Sequence, residues 1–232
     1  MSHDLRLYTD TPKNIKLLFC IAIILFLSSY SVNAKDILTN KINTKNPFLM
    51  VKQITHRTFL RLKNESTQIR QTPNLLKVVI KEEILPYFNH RYAAAKVLGN
   101  VHFKQISKDQ FNQFSVNFRE YIGTSYAQIF TLYDNQTVKY SPNKKFKNKR
   151  IISVSIEIIS TSRPPIDISF KLRMNKKTKE WKIFDLVAEG ISFLDSKRAE
   201  FNKLLTSKGI ETTNALLIKK SMADIRFNKG KN

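Results

Sequence analysis

The stretch that decides the fold is residues 150–190, RIISVSIEIISTSRPPIDISFKLRMNKKTKEWKIFDLVAEG. Apolar and polar residues alternate in three runs, separated by 163–165 (RPP) and 175–178 (NKKT). Because successive side chains of a strand point to opposite faces of a sheet, this period of two predicts three strands, each with an apolar and a polar face. Both separators have turn-forming compositions and are short enough for hairpins. The stretch therefore predicts a curved antiparallel meander with one apolar surface.

Most of the remaining chain shows apolar residues at helical spacing. Asn46-Pro47 is typical of a helix start, and Ser107 with Gln110 forms a capping-box pattern. Pro86 should interrupt one helix and Gly99 should end it. Helices are predicted from these signals over 46–62, 72–98, 107–133, 191–208 and 213–225, with a short first strand over 136–140. The fold class is therefore α+β, with an antiparallel sheet of about four strands covered by several amphipathic helices.

The N-terminal residues have the three-part plan of a secretory signal. Lys13 and Lys16 precede the apolar run 17–27, and small residues follow at 32–34. That run is shorter than the roughly 20 residues of a membrane span, although an uncleaved anchor is the alternative. Cleavage would also remove Cys20, the single cysteine. The predicted organisation is a signal peptide at 1–34, a flexible arm at 35–45, one domain at 46–226 and a disordered tail at 227–232.

The chain is strongly basic, with a formal net charge of +22. Such an excess favours polyanionic partners: nucleic acid, a membrane surface or an acidic protein. Export to an envelope compartment argues against nucleic acid. A general lysine bias of the proteome explains the charge equally well, because the whole composition is rich in Lys, Asn and Ile.

The sequence carries no pattern of a catalytic or metal site. His56, His90 and His102 are far apart, with no carboxylate at metal-ligand spacing. No nucleophile elbow, phosphate-binding glycine loop or zinc-protease motif occurs. Glu82 and Glu83 are adjacent on a predicted helix and so point in different directions. We therefore expect neither enzyme activity nor a metal or cofactor.

Aromatic side chains are concentrated on the predicted helices and strands. Phe111, Phe114, Phe118 and Tyr121 share one face of the longest helix. A curved sheet facing several aromatic-rich helices can enclose a pocket. It can equally be filled by a solid core, and composition does not distinguish the two.

Five stretches of the chain carry a family resemblance: NPFLMVKQITHRTFLRLKNE (46–65), LLKVVIKEEILPYFNHRYAAAKVLG (75–99), FSVNFREYIGTSYAQIFTLYDNQ (114–136), RPPIDISFKLR (163–173) and WKIFDLVAEGISFLDSKRAEFNKLL (181–205). They resemble the MlaC family of periplasmic phospholipid shuttles, also called the toluene-tolerance auxiliary component. The most specific pieces are Leu-Pro-Tyr at 85–87, before an Ala-rich helix, and DLVAEGIS at 185–192 after Trp181. The resemblance covers about residues 46–225.

This resemblance implies a periplasmic carrier that holds the acyl tails of a diacyl phospholipid in a hydrophobic cleft between sheet and helices. The lipid is cargo, and the carrier is a monomer without a cofactor that maintains outer-membrane lipid asymmetry. The implied partners are an inner-membrane complex of an MCE-domain protein with an ABC transporter, and an outer-membrane lipoprotein–porin complex.

This role indicates which residues are candidates for the site. The tail contacts are predicted to be Val78, Leu85, Tyr92, Val97, Phe118, Tyr121, Ile129, Ile156, Phe170 and Val187. Arg163 and Arg173 are the candidates for head-group or partner docking. Two competing functions remain: a periplasmic adaptor with a solid interior that docks an acidic partner, and a nucleic-acid binder whose binding would weaken steeply with salt.

Overall fold

The computed structural model describes residues 41–142, 146, 148–161 and 163–227. The predicted signal peptide, residues 35–40 of the predicted arm and the last five residues lie outside the described residues. From Ile42 onward the described chain belongs to one compact unit.

Helices come first along this unit, and the sheet comes after them. The first half contains α1 (Pro47–Asn64), α2 (Ser66–Gln71), α3 (Leu75–Glu83), a 3-10 turn (Leu85–Tyr87), α4 (His90–Gln105) and α5 (Lys108–Phe130). The second half contains β1 (Thr137–Tyr140), β2 (Ile151–Ile159), β3 (Ile166–Met174), β4 (Trp181–Ala188), β5 (Ile191–Ser192) and α6 (Phe193–Ser221). The predicted α+β class is confirmed.

The five strands form one antiparallel sheet in chain order, β1-β2-β3-β4-β5, so the predicted meander is its centre. The sheet has one strand more than predicted. Glu189 and Gly190 both have positive φ, 48° and 78°, which is the backbone of a two-residue hairpin turn. This turn folds Ile191 and Ser192 back onto β4, where a helix was predicted to begin.

A bulge interrupts the pairing of β3 with β4. Leu172 lies opposite Ile183 and Lys171 lies opposite Asp185, which leaves Phe184 as an extra residue. An extra residue reverses the inward and outward alternation of every later residue in the strand. Leu186 and Ala188 therefore lie on the inner face of the sheet.

The predicted helix starts are confirmed at α1 and α5. The Asn46 side chain accepts hydrogen bonds from the N–H groups of Phe48 and Leu49, both at 3.1 Å. Ser107 and Gln110 form the complete capping box ahead of α5. These bonds satisfy backbone donors that a helix N-terminus leaves without partners.

Other helix boundaries differ from the prediction. The helix expected over 72–98 begins at Leu75 and is divided into α3 and α4 by the 3-10 turn that contains Pro86, as predicted for this proline. The short helix α2 was not predicted. By contrast, Gly99 and Gly209, at φ +64° and +73°, have non-helical backbone where helix ends were predicted, so α4 and α6 each consist of two helical segments that meet at a kink. Glycine adopts this left-handed backbone without steric cost, so a second helical segment continues beyond each kink.

Both ends of the described chain pack onto the domain. Ile42 is buried, and the Trp181 N–H donates to the Thr44 carbonyl at 2.8 Å, so packing begins within the stretch predicted as a flexible arm. At the other end α6 stops at Ser221, short of the predicted residue 225. Ile225 is nevertheless buried. Across 41–142, 146, 148–161 and 163–227, no helix has the length and hydrophobicity to cross a membrane.

Candidate functional site

An apolar cavity of about 160 Å³ lies between the inner face of the sheet and the helices α1 and α5. Its walls come from α1, the segment around the 3-10 turn, α5 and strands β2 to β4. The lining residues are Ile54, Thr55, Thr58, Phe59, Ile84, Phe88, Tyr126, Ile129, Phe130, Ile156, Ile158, Ile168, Phe170, Ile183, Leu186 and Ala188.

The sheet wall results directly from strand alternation. Ile156 of β2 lies opposite Ile168 of β3, and Phe170 lies opposite Leu186 of β4. Cross-strand partners point to the same face, so these side chains stand next to one another as one continuous apolar surface. The opposite face carries polar pairs such as Ser155 and Ser169, whose hydroxyls are hydrogen-bonded at 2.7 Å.

The threonines of α1 add no polar atom to the cavity wall. The Thr58 hydroxyl donates to the Ile54 carbonyl at 2.8 Å, and the Thr55 hydroxyl donates to the Val51 carbonyl at 2.8 Å. Satisfied within their own helix, both side chains contribute only carbon to the wall. A cavity with such walls favours hydrocarbon and offers no hydrogen bond to orient a polar ligand.

The α5 wall combines a deeply buried residue with an exposed one. Tyr126 is 5% exposed, and its hydroxyl has no hydrogen-bond partner among the described residues. Burial, and then the charge of Asp185, raises the pKa of Tyr126, so its phenol stays neutral. Ile129, one turn further on, is 48% exposed. The cavity therefore opens to solvent near the C-terminal end of α5.

A buried carboxylate fastens the sheet to α6 behind the cavity. Asp185 is 2% exposed and accepts hydrogen bonds from the Ser192 hydroxyl at 2.7 Å and the Leu194 N–H at 3.1 Å. Lys171 completes the arrangement at 3.2 Å. A buried charge needs such partners, because removal from water is costly without them. Asp185 thus holds the start of α6 against β4.

Comparison with known proteins assigns this architecture to a family. Residues 52–219 match the MlaC family, described as "MlaC protein". The chain belongs to the MlaC family. A relative from Haemophilus influenzae, the intermembrane phospholipid transport system binding protein MlaC, is 31% identical over 185 residues, which is 79% of this chain and 86% of the relative.

A solved structure shares the fold of this MlaC-family chain. It is a phospholipid-binding protein from Ralstonia solanacearum in complex with a phospholipid. The TM-score is 0.64 at 16% sequence identity, and the match covers 74% of this chain and 94% of that one. At this identity the likeness establishes the shared fold.

Three of the ten predicted tail contacts, Ile129, Ile156 and Phe170, line the cavity of this MlaC-family chain. Val187 lies on the opposite face of the sheet, because the bulge at Phe184 reverses the alternation of β4. The sequence pattern alone does not reveal that reversal.

The other six predicted contacts lie away from the cavity lining. Phe118 and Tyr121 are packed between helices, where the Tyr121 ring meets Phe201 with centroids 5.6 Å apart. Val97 is likewise buried, in α4. Phe118 and Tyr121 lie on the same apolar face of α5 as Ile129, which does line the cavity, so helical periodicity could not separate them. None of the described residues that line the cavity belongs to α4.

Leu85, Val78 and Tyr92 lie on other surfaces. Leu85 and Val78 line a shallow depression on the far side of α5, where Val78 is 41% exposed. Tyr92 packs edge-on against Phe184 with centroids 5.0 Å apart.

The two docking arginines are separated by the length of β3. Arg163 is exposed in the turn before the strand, and the Arg173 guanidinium stacks 4.4 Å from the centroid of the Tyr92 ring. They do not form one site with each other, and their docking role stays a prediction.

Sequence reasoning missed several wall residues. Ile54 and Thr58 belong to the apolar stripe of α1, so helical spacing could have suggested them. Simple alternation did not place Leu186 and Ala188 on the inner face, because the bulge at Phe184 reverses it. Phe88 lies between helices, where no periodicity applies. In the part of the chain that the structure describes, no group of His, Cys, Asp and Glu is placed to hold a metal ion.

Proposed function

We propose that this chain binds a diacyl phospholipid by its acyl tails in the cavity and carries it across the periplasm. The observation that supports this most directly is a cavity with entirely apolar walls, which opens to solvent beside Ile129. The adaptor alternative, which has a solid interior, does not require such a cavity. The phospholipid bound by the Ralstonia protein of the same fold supports the same ligand class.

Tail burial provides the binding energy. Each buried methylene contributes about 0.8 kcal/mol, so two acyl chains bind strongly without covalent chemistry. Because no polar atom is exposed on the walls, the buried Tyr126 hydroxyl included, the cavity should accept tails of different length and unsaturation. Discrimination between lipids must then come from outside the cavity.

The cavity must widen to admit two tails. Apolar cavities of about 150 Å³ hold one benzene molecule. Two acyl chains have several times the carbon content of benzene, and this cavity measures about 160 Å³. We infer that α1 and the end of α5 move away from the sheet during loading, with the wall around Ile129 parting first because it already faces solvent.

We further propose the periplasm as the site of action, with an inner-membrane MCE-domain and ABC-transporter complex and an outer-membrane lipoprotein–porin complex as exchange partners. Family membership, the secretory pattern of residues 1–34 and the Haemophilus relative's place in an intermembrane transport system support this proposal. Moving lipid between two membranes requires no chemical step, in keeping with the expectation that the chain is not an enzyme.

Native mass spectrometry with lipid extraction tests the proposal. The exported protein is purified without added lipid and measured before and after incubation with liposomes. We expect one diacyl phospholipid mass per protein. A protein that stays at its bare mass after incubation would sink the carrier proposal and favour the adaptor.

A further inference from the structure

A second, smaller pocket continues the cavity along the seam between α1 and α5. It measures about 90 Å³. The cavity uses Phe59 of α1, and the pocket uses Leu62, one helical turn further along. Phe130, the last residue of α5, borders both spaces, and Tyr133, three residues beyond the helix end, lines only the pocket. The pocket therefore adjoins the cavity.

A single layer of aromatic rings separates them. Phe59 stands edge-on to Phe130, with centroids 6.3 Å apart, and edge-on to Tyr133, with centroids 5.6 Å apart. All three side chains are only partly buried, so rotation of these rings at the surface would join the cavity to the pocket. A ligand that fills the cavity could then extend into the pocket.

The pocket differs from the cavity in carrying two opposite charges. Arg70 of α2 and Asp134, just beyond α5, both line it. Neither side chain forms an ion pair with any residue in the described ranges, although they share one pocket. Asp134 stands at the C-terminal end of α5, where the helix dipole also favours a cation. The field of Asp134 reaches the phenol of Tyr133, whose pKa is raised by burial and then by this carboxylate.

We propose that this pocket holds the head group of a zwitterionic phospholipid whose tails occupy the cavity. Arg70 faces the phosphate and Asp134 faces the ammonium group. The assignment rests on the proposed function, since it places the head beyond tails that the cavity must bind. It adds a source of selectivity that the apolar walls cannot provide. A guanidinium pairs with any phospholipid phosphate, whereas the carboxylate distinguishes an ammonium head from an uncharged or anionic one.

Three probes with identical dioleoyl tails separate the contributions: phosphatidylethanolamine, phosphatidylglycerol and diacylglycerol. The last has the tails but neither head-group charge. Loading from mixed vesicles is measured by native mass spectrometry for the unchanged protein, Arg70→Gln and Asp134→Asn. Lys108→Gln and Asp109→Asn are matched controls, because they remove similar charges at the far end of α5, about 30 Å away.

We expect the unchanged protein to prefer phosphatidylethanolamine over phosphatidylglycerol. Asp134→Asn should reduce this preference by about two- to fivefold, the range of one exposed ion pair, and leave phosphatidylglycerol loading unchanged. Arg70→Gln should weaken both phospholipids by a similar factor. Diacylglycerol loading should be the same in all five proteins, which also shows that the variants are folded.

Two other results overturn the assignment. If every protein loads phospholipid with one unchanged preference, the carrier stands and the pocket is not the head-group site. If Arg70→Gln or Asp134→Asn lowers diacylglycerol loading as much as phospholipid loading, the charge acts on the fold or on the tails. Failure of the unchanged protein to load any of the three probes would instead refute the carrier function itself.

Discussion

The two halves of α5 carry the same aromatic stripe, yet one half is packed solid and the other borders a cavity. In the N-terminal half Phe114 and Phe118 are fully buried and stack with centroids 5.9 Å apart. In the C-terminal half Tyr126, Ile129 and Phe130 line the space facing the sheet. Amphipathic pattern alone does not distinguish a filled region from a hollow one.

The partner of each half accounts for the difference. The first half contacts α4 through Phe111 and Phe103, with ring centroids 4.9 Å apart, and contacts α6 through Tyr121 and Phe201, at 5.6 Å. Helices can interlock their side chains as ridges and grooves. The second half faces a twisted sheet, whose surface curves away from a straight helix. Gly123 lies between the halves, where an added Cβ would come within 3.1 Å of Leu85. The solid half should therefore carry stability, and the hollow half should carry ligand.

The largest expected effect is on the solid half. Phe118→Ala should lower the free energy of unfolding by about 3–5 kcal/mol, because it leaves a cavity in a close-packed region. Phe170→Ala, on the cavity wall, should cost only about 1–2 kcal/mol, since its half-buried ring is less tightly enclosed. Chemical denaturation of both variants measures the difference. Equal losses would contradict the distinction between the two regions.

The attachment of the sheet to the helical region depends on Asp185, which holds β4 against the start of α6. Asp185→Asn should cost about 1–3 kcal/mol, because an amide keeps one acceptor oxygen but presents an NH2 group to a donor. Asp167→Asn is the control on the same sheet face, where the side chain is exposed, and it should change stability by less than about 0.5 kcal/mol. Thermal and denaturant unfolding report both. An equally mild effect at Asp185 would mean that the tie to α6 contributes little.

Filling the hollow half should block loading without unfolding the protein. Ala188→Phe places a ring in the cavity and should reduce phospholipid loading about tenfold, equivalent to about 1.4 kcal/mol. Val187→Phe is its matched control, because the adjacent side chain points to the opposite face. Native mass spectrometry compares the two. Loss of loading in Val187→Phe alone would show that the assigned faces of β4 are reversed.

The smallest expected effect is the dependence of stability on pH that comes from His90, at the start of α4. Burial, and then the positive charges of Arg119 and Lys182, lower the pKa of His90 from its ordinary 6.5. The folded state therefore binds this proton less readily than the unfolded state, so His90 costs stability as pH falls from about 6.5 toward its lowered pKa. His90→Gln should flatten that decline.

Melting temperatures at pH 7.5 and 5.5 test this, with His56→Gln, at an exposed position, as the control. A decline that is unchanged in His90→Gln would assign it to other groups. Burial raises the pKa of Glu200, but hydrogen bonds from Lys197 and Lys220 together lower it by more, so the net shift is downward from 4.5. The stability that Glu200 contributes is therefore lost only as pH falls below about 4.5, outside the range compared.

Local patterns predicted most of the architecture. The alternation in 150–190 gave three of the five strands and their hairpin order, and Asn46 and Ser107 marked helix starts that are formed as expected. Those features are determined by residues close together in the chain, so they can be predicted from the sequence. Prediction failed where one or two residues redirect the chain beyond them, as at Phe184 in β4 and at the positive-φ turn formed by Glu189 and Gly190.

The candidate site was predicted less well for the same reason. Ile156 and Phe170 were found because strand alternation specifies a face. Phe118 and Tyr121 are buried but do not line the cavity, because a helix stripe specifies burial and not the element that covers it. Thr55 and Thr58 were not among the candidates, and their role depends on hydrogen bonds within α1 that leave only their carbon atoms on the cavity wall.

The sequence by itself determined the apolar faces, the helix starts, the basic charge and the family, because each depends on residue types and their spacing. Only the tertiary structure decided which apolar face borders a cavity and which is filled. That decision depends on whether opposing surfaces interlock, and interlocking is a property of two elements far apart in the chain. The placement of Arg70 and Asp134 in one pocket is of the same kind, since 63 residues separate them and only the tertiary structure brings both to one place.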